Sequence, residues 1–160
     1  MSEAVIRKAT IEDAALILDF VKELARYERA EDEVVATIED IQNNLFSGDT
    51  TTRALICTSE GKPIGFAVYF LNCSTWLGKN GLYLEDLYIS PKHRGAGAGK
   101  KLLKYLAKIA VRNNLGRFEW GVLDWNEPAI KFYESIGAKP QDQWVGYRLE
   151  GQSLIEFARK

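Results

Sequence analysis

Histidine is almost missing from this chain. His93 is the only one, and no acidic or cysteine cluster stands near it. That pattern excludes a histidine-based metal site and the Ser/His/Asp or Cys/His arrangements of nucleophilic catalysis. Cysteine is scarce too, with only Cys57 and Cys73. If the two lie on the strands of one hairpin they sit far apart along it, and a disulfide needs Cα atoms within about 7 Å. Two free thiols in a reducing cytoplasm is the simpler reading. There is no charge excess: 21 Lys and Arg stand against 22 Asp and Glu. The chain therefore has no general attraction for nucleic acid or anionic lipid, and any affinity for phosphate has to be local. No apolar run approaches the ~20 residues needed to span a membrane. The opening MSEAVIRKAT lacks the apolar core of a signal peptide.

What is present is an ordinary globular balance, 46% hydrophobic and 27% charged over 160 residues. It predicts one domain over 1–160 with a core that needs neither metal nor disulfide. Ala4 to Arg7 reads as a first strand. Thr10 is placed as an N-cap with Asp13 at the capping-box position, and Ala14, Ile17, Leu18, Val21, Leu24 and Ala25 mark a helix to about Arg29. After the acidic Glu31-Asp32-Glu33, Thr37 and Asp40 repeat the cap and open a shorter helix that stops near Ser47-Gly48. Strands are expected over Arg53–Thr58 and Pro63–Leu71 about the turn Ser59 to Lys62, with Gly65 marking a bulge or a close backbone approach. Further on, Gly116 is expected to cap a helix and Phe118–Leu123 to form a strand. Asn126 opens a short helix with Pro128 in its first turn. Trp144–Leu149 and Ser153–Phe157 read as a closing hairpin. The order β-α-α-β-β-β-α-β-α-β-β is that of an α/β sandwich with a mixed, mostly antiparallel sheet flanked by helices.

The centre of this order is Leu82 to Leu103. An apolar strand, Leu82 to Ser90, ends at Pro91. Then come Arg94-Gly95-Ala96-Gly97-Ala98-Gly99, and a helical period begins with Leu102, Leu103, Leu106, Ile109 and Ala110 on one face. The first turn of a helix leaves N–H groups without partners and favours negative charge. Glycine and alanine let a phosphate approach those donors closely. Spacing chooses among phosphate binders. A Walker A loop would need glycine where Arg94 stands and Ser or Thr after its lysine. A G-x-G-x-x-G fingerprint meets Lys100 or Leu102 at its third glycine. Arg94-x-x-Gly97-x-Gly99 fits the R/Q-x-x-G-x-G/A signature of the GNAT acetyltransferases.

The surrounding residues resemble one branch of that family, the diamine (spermidine/spermine) N-acetyltransferases. The matching segments are Lys22-Glu23-Leu24-Ala25 with Tyr27-Glu28, Trp76-x-Gly78-Lys79, Leu82-Tyr83-Leu84-Glu85-Asp86, the glycine loop, Trp125-Asn126-Glu127-Pro128, and Phe132-Tyr133 ahead of Gly137-Ala138. They run in order over nearly the whole chain. The resemblance implies an acetyl-CoA-dependent transfer to a small primary amine, without a metal, in a homodimer whose C-terminal strands contribute to the interface.

Moving an acetyl group from a thioester to an amine sets three demands. The amine must be neutral, although free alkyl amines have a pKa near ~10.4. The carbonyl oxygen needs donors as charge builds on it, and the departing thiolate benefits from a proton. The resemblance puts Tyr133 beside the cofactor sulfur as the acid; at its helical spacing it is also an ordinary core aromatic next to Phe132. Glu85 is the candidate base through a water, since Glu85-Asp86 is costly to bury in an apolar strand without a purpose. The pair could equally be satisfied by backbone N–H groups. On a regular strand the two point to opposite faces, unless a bulge re-aims them.

By resemblance, Leu87, Tyr88 and Ile89 offer backbone groups to pantetheine, Arg94, Gly95, Ala96, Gly97, Ala98, Gly99 and Lys100 hold the pyrophosphate, and Asn126 and Pro128 line the cofactor channel. Tyr27 and Glu28 match amine-contacting positions, joined by Glu85 and Asp86. One departure bears on the substrate. Trp144 and Val145 stand where polyamine enzymes carry an acidic pair, which favours a shorter amine or a lysine-like amino acid over spermine. The competing readings are an acyl-CoA sensor without catalysis, which would need neither Tyr133 nor Glu85, and a nucleotide-binding domain, which the loop spacing disfavours.

Overall fold

The computed structural model describes residues 3–159, which fall into two compact units that divide between Gly121 and Val122. The first unit holds five strands and three α-helices: β1 (Val5–Lys8), α1 (Ala14–Tyr27), α2 (Ile38–Phe46), β2 (Arg53–Ser59), β3 (Lys62–Ser74), β4 (Lys79–Ile89), α3 (Ala98–Arg112) and β5 (Phe118–Trp120). The sheet order is β1-β2-β3-β4-β5, antiparallel up to β4, with β5 parallel to β4. A parallel neighbour needs a crossover, and α3 is that crossover. The second unit carries α4 (Glu127–Ser135) and α5 (Gly151–Arg159).

Capping fixes where the first two helices start. Asp13 accepts from the Thr10 N–H at 2.8 Å, just before a short 3-10 turn that leads into α1. Asp13 is buried and takes two bonds from Arg7, at 2.7 and 2.8 Å, so the cap is tied to β1. At α2 the Asp40 N–H donates to the Thr37 hydroxyl, and the Thr37 N–H donates to the Asp40 carboxylate. The turn at 59–62 puts Glu60 and Gly61 at positive φ (52° and 75°), the twist that joins two strands tightly.

Alternation along the strands builds a core on each face. Ile56, Phe66, Val68 and Tyr88 meet Ile17, Leu18 and Phe20 of α1 and Ile41 of α2. Phe20 stacks on Phe66 at 5.5 Å. Leu55 and Ala67, buried on the opposite face, share it with Ile89, which approaches Gly99 of α3. Leu102, Leu103 and Leu106 of α3 are all buried. Burying each such side chain is worth about 1.5–3 kcal/mol.

Both possibilities raised for Gly65 hold. The register slips between Cys57 and Thr58 opposite it, and a Cβ at Gly65 would lie 2.3 Å from the Tyr88 carbonyl oxygen. Cys57 and Cys73 are both free, one buried and one exposed.

β1, β3 and β4 differ from their expected bounds by one to three residues, and four other expectations also change. α1 stops at Tyr27 because Arg29 turns left-handed (φ 63°), which lets Ala30 N–H reach back to the Ala25 carbonyl. Asn114 (φ 55°), rather than Gly116, takes the left-handed position after α3; Gly116 instead makes room for Leu77 and Lys79 of the β3–β4 hairpin. β5 ends at Trp120, where β4 leaves its register. The expected closing hairpin is absent: 144–149 is irregular and 151–159 is helical. Leu154, Ile155 and Ala158 satisfy a helical spacing as well as a short strand does, and Gln152 bonds Glu156 one turn on. With no strand partner in the segment, the local hydrogen bonds win.

Candidate functional site

The mouth of α3 begins with two left-handed glycines, Gly95 (φ 84°) and Gly97 (φ 85°), the second of which is the N-cap. A Cβ at either would meet nothing within 4 Å, so the demand for glycine there is conformational. The first intrahelical bond runs from Lys101 N–H to Gly97 carbonyl at 2.9 Å. The amides of Ala98, Gly99 and Lys100 precede it and have no acceptor within the helix. A concave row of donors without side chains in the way fits a diphosphate. Lys100 is exposed at this mouth, whereas Lys101 is engaged elsewhere, bound to Glu3 at 2.8 Å and to the Ala4 carbonyl.

β5 covers β4 only through Leu82↔Phe118, Tyr83↔Glu119 and Leu84↔Trp120. From Glu85 onward β4 has no described strand on that side, and it runs on past Leu87, Tyr88 and Ile89 to the glycine loop. An uncovered strand edge can pair with an extended amide chain.

The same point is a bulge. Val68 of β3 is opposite Asp86, but the next residue, Tyr69, is opposite Leu84, so Glu85 has no counterpart. The extra residue resets the alternation, and Asp86 shares the α1 face of the sheet with Val68 and Tyr88. Glu85 is exposed and Asp86 is half-buried. Burial above all, then the charges of Glu85 and Glu28, push Asp86 up to about 7. Burial also raises Glu28, the residue that caps α1. Asp86 thus combines burial with two nearby carboxylates, the condition in which a carboxyl holds a proton near neutrality.

Arg94, first residue of the glycine signature, turns back from the loop. Its Nε donates to the Ile89 carbonyl at 2.8 Å. Its guanidinium lies 4.9 Å from the Tyr27 ring centre and 5.3 Å from that of Tyr88. Tyr88 in turn packs on Phe20 at 6.1 Å, and burial first, then the Glu23 carboxylate, push its phenol up. The unit therefore gathers Tyr27, Glu28, Glu85, Asp86, Tyr88 and Arg94. The acidic run beyond α1 is partly spoken for, since Glu31 pairs with Arg26 at 2.7 Å.

Asn126, Pro128 and Tyr133 belong to the second unit, at the N-cap, first turn and second turn of α4. Tyr133 is half-buried with its ring 5.8 Å from Phe132, and its carbonyl accepts from the N–H groups of Ile136 and Ala138 where Gly137 (φ 93°) ends the helix. Sequence reasoning missed the acid–base poise of Asp86 and the stacking of Arg94. The first signal was present, as a second carboxylate in an apolar strand; the second arises only in three dimensions.

Residues 17–138 match the sequence profile of the acetyltransferase (GNAT) family. A thialysine N-epsilon-acetyltransferase of Sus scrofa is 33% identical over 171 aligned positions, covering 100% of both chains. An L-ornithine N5-acetyltransferase of Arabidopsis thaliana is 44% identical over 117 positions, which span 73% of this chain and 48% of the relative. Among solved structures, an integron cassette protein from the mobile metagenome of V. cholerae superposes with a TM-score of 0.83 at 30% identity, covering 100% of this chain and 99% of the other.

Proposed function

From the premise that the chain belongs to the GNAT acetyltransferase family, we propose that it transfers an acetyl group from acetyl-CoA directly to the primary amine of a short diamine or a lysine- or ornithine-like amino acid. The family match runs through position 121, which supports one catalytic domain made of both units. The observation that carries the reading is the bulge at Glu85, which sets two carboxylates where β4 loses its neighbour on the way to the glycine loop.

Acetyl-CoA supplies the thioester, with its diphosphate against the 94–100 segment and its pantetheine arm along Leu87, Tyr88 and Ile89. The residues of the chain do the rest. Glu28, Glu85 and Asp86 draw an ammonium in. Glu85, set forward by the bulge, takes up the proton through a water, and Asp86 beside it keeps the pair able to hold one near pH 7. Tyr133 gives a proton to the leaving thiolate, and Asn126 and Pro128 take the cofactor-contacting role that the family likeness gives them.

Substrate length follows from charge. The three carboxylates suit one ammonium group and its near surroundings. Trp144 and Val145 offer no anion for a distant second one. Two relatives named for thialysine and ornithine agree with a short amino-acid substrate. A homodimer is part of the proposal, because Trp144, Val145, Tyr147 and Phe157 are 69–97% exposed and a second copy would cover them. Two free thiols suit a reducing cytoplasm.

The test is CoA release from acetyl-CoA with thialysine, ornithine, putrescine, spermidine and spermine. Release with the short amines, exceeding that with spermine, is expected. Tight acetyl-CoA binding with no release for any amine would make the chain a sensor instead.

A further inference from the structure

We propose that Lys104, Lys108 and Arg112, a cationic ridge running back from Lys100 along the exposed side of α3, capture acetyl-CoA by charge and deliver it to the glycine loop. The proposal rests on the acetyltransferase reading and adds to it how the anionic co-substrate reaches its seat.

Lys100, Lys104, Lys108 and Arg112 recur every fourth residue, the interval that forms one continuous ridge along a helix. At 1.5 Å per residue the ridge is about 18 Å long, and it begins at the mouth of α3. All four residues are exposed. Among the described residues none of the four is in an ion pair; Lys101, one position off the ridge, is the cation that takes Glu3 at 2.8 Å. The hollow beside the ridge is lined by α3 residues alone, Lys104, Ala107, Lys108, Val111 and Arg112, so an incoming anion meets these charges directly.

The helix itself gains nothing from this arrangement. Like charges four residues apart repel, and the ridge holds three such pairs. Cations in a first turn also oppose the helix dipole. α2 opens in the favourable way, with Glu39 and Asp40, whereas α3 opens with Lys100 and Lys101 and contains no acid at all. The ridge does suit the chemistry of two co-substrates with opposite charge. Five of the chain's 21 basic residues and none of its 22 acidic ones lie in Ala98–Arg112, which leaves sixteen against 22 for the rest. That remainder, with Glu85 and Asp86 at the bulge, attracts an ammonium and repels CoA, whose phosphates make it strongly anionic. Attraction for CoA has to be local, and α3 is where the positive charge is concentrated. Each cation stands about 6 Å beyond the last, within the screening length of about 10 Å at 0.1 M salt, so the field extends outward from the mouth.

The experiment is stopped-flow binding of CoA to the full chain, at ionic strengths from about 0.01 M to about 1 M. Replacing Lys104, Lys108 and Arg112 together by Gln should lower the association rate constant about tenfold at the lowest salt. The dissociation rate constant should stay within about twofold, because steering acts on the approach. At the highest salt, where the screening length is about 3 Å, the association rate constants should converge. Lys108→Gln alone should show the same pattern at about two- to threefold, and thermal unfolding of each variant reads folding separately. An unchanged association rate constant at low salt would overturn the proposal. So would a loss carried wholly by faster dissociation, which would make these residues ordinary ligands. Unchanged CoA association with lost binding of a short oligothymidylate would assign the ridge to nucleic acid instead. If wild type binds CoA but releases none from acetyl-CoA with any amine, the acetyltransferase reading fails while these rate constants still decide the ridge. A wild-type chain that binds no CoA would overturn both.

Discussion

Asp86 of β4 stands opposite Val68 of β3, yet Tyr69, one residue further along β3, stands opposite Leu84. The unmatched Glu85 is the pivot of the site. It ends the pairing with β5, turns two neighbouring carboxylates out of simple alternation, and leaves the rest of β4 open toward the glycine loop.

The pH–rate profile tests the carboxylate pair. With Asp86 near 7, kcat/KM for the amine should fall on the acid side of about pH 7 in wild type. Asp86→Asn should remove that limb or move it lower by more than one pH unit, with turnover down roughly 10- to 1000-fold. Glu85→Gln should lose at least as much turnover. An unchanged acid limb in Asp86→Asn would put the proton elsewhere.

Stability should carry the same mark, with a sign that follows from linkage. A carboxyl whose pKa is raised on folding binds its proton more tightly in the native state, so its contribution is complete below the unfolded value near 3.8 and fades as pH rises through about 7. Asp86→Asn should therefore raise Tm at pH 8 and leave it nearly unchanged at pH 4. Asp13 runs the other way. The bonds from Arg7 hold its carboxyl below the usual range, so Asp13→Asn should lower Tm at pH 7, and the difference should shrink as pH falls below about 4.

Tyr133→Phe removes one oxygen from α4. On the proposal that its phenol protonates the thiolate, turnover should fall by about one to three orders of magnitude while CoA affinity stays within a few fold. Stopped-flow release of CoA beside equilibrium binding separates the two effects. Unchanged turnover would remove Tyr133 from the mechanism.

Gly65→Ala is a steric probe of β4 from the far side. The new methyl would sit 2.3 Å from the Tyr88 carbonyl oxygen and 2.5 Å from Ile89 Cδ1. Backbone has to move, at a cost of about 1–3 kcal/mol. Because the displaced strand carries Leu87, Tyr88 and Ile89, KM for acetyl-CoA should rise in the same variant. Chemical denaturation and kinetics on one preparation check both.

Much of this was legible in the sequence, for reasons visible at single residues. Thr10 and Thr37 announced their helices because a cap is a local bond, and the Gly/Ala run at 95–99 announced the loop because it carries no bulky side chain before a helical period. Gly65 was open to reading as a close approach for a similar reason. A bulge at Glu85-Asp86 was open from the sequence, but its position was not: register belongs to a pair of strands, and nothing within Leu84-Glu85-Asp86 says which residue lacks a partner. Arg94 was read as part of a phosphate loop because its motif neighbours are sequential, while Tyr27 and Tyr88 reach it only through the fold. The segment 151–159 misled because Leu154, Ile155 and Phe157 fit a short strand and a helical turn alike.

A crystal structure with CoA bound tests the central claim most directly. The account predicts the diphosphate against the 94–100 segment and the pantetheine arm along Leu87 to Ile89, with its sulfur end toward the bulge at Glu85. A diphosphate seated anywhere else, or an arm lying away from the open edge of β4, would contradict it.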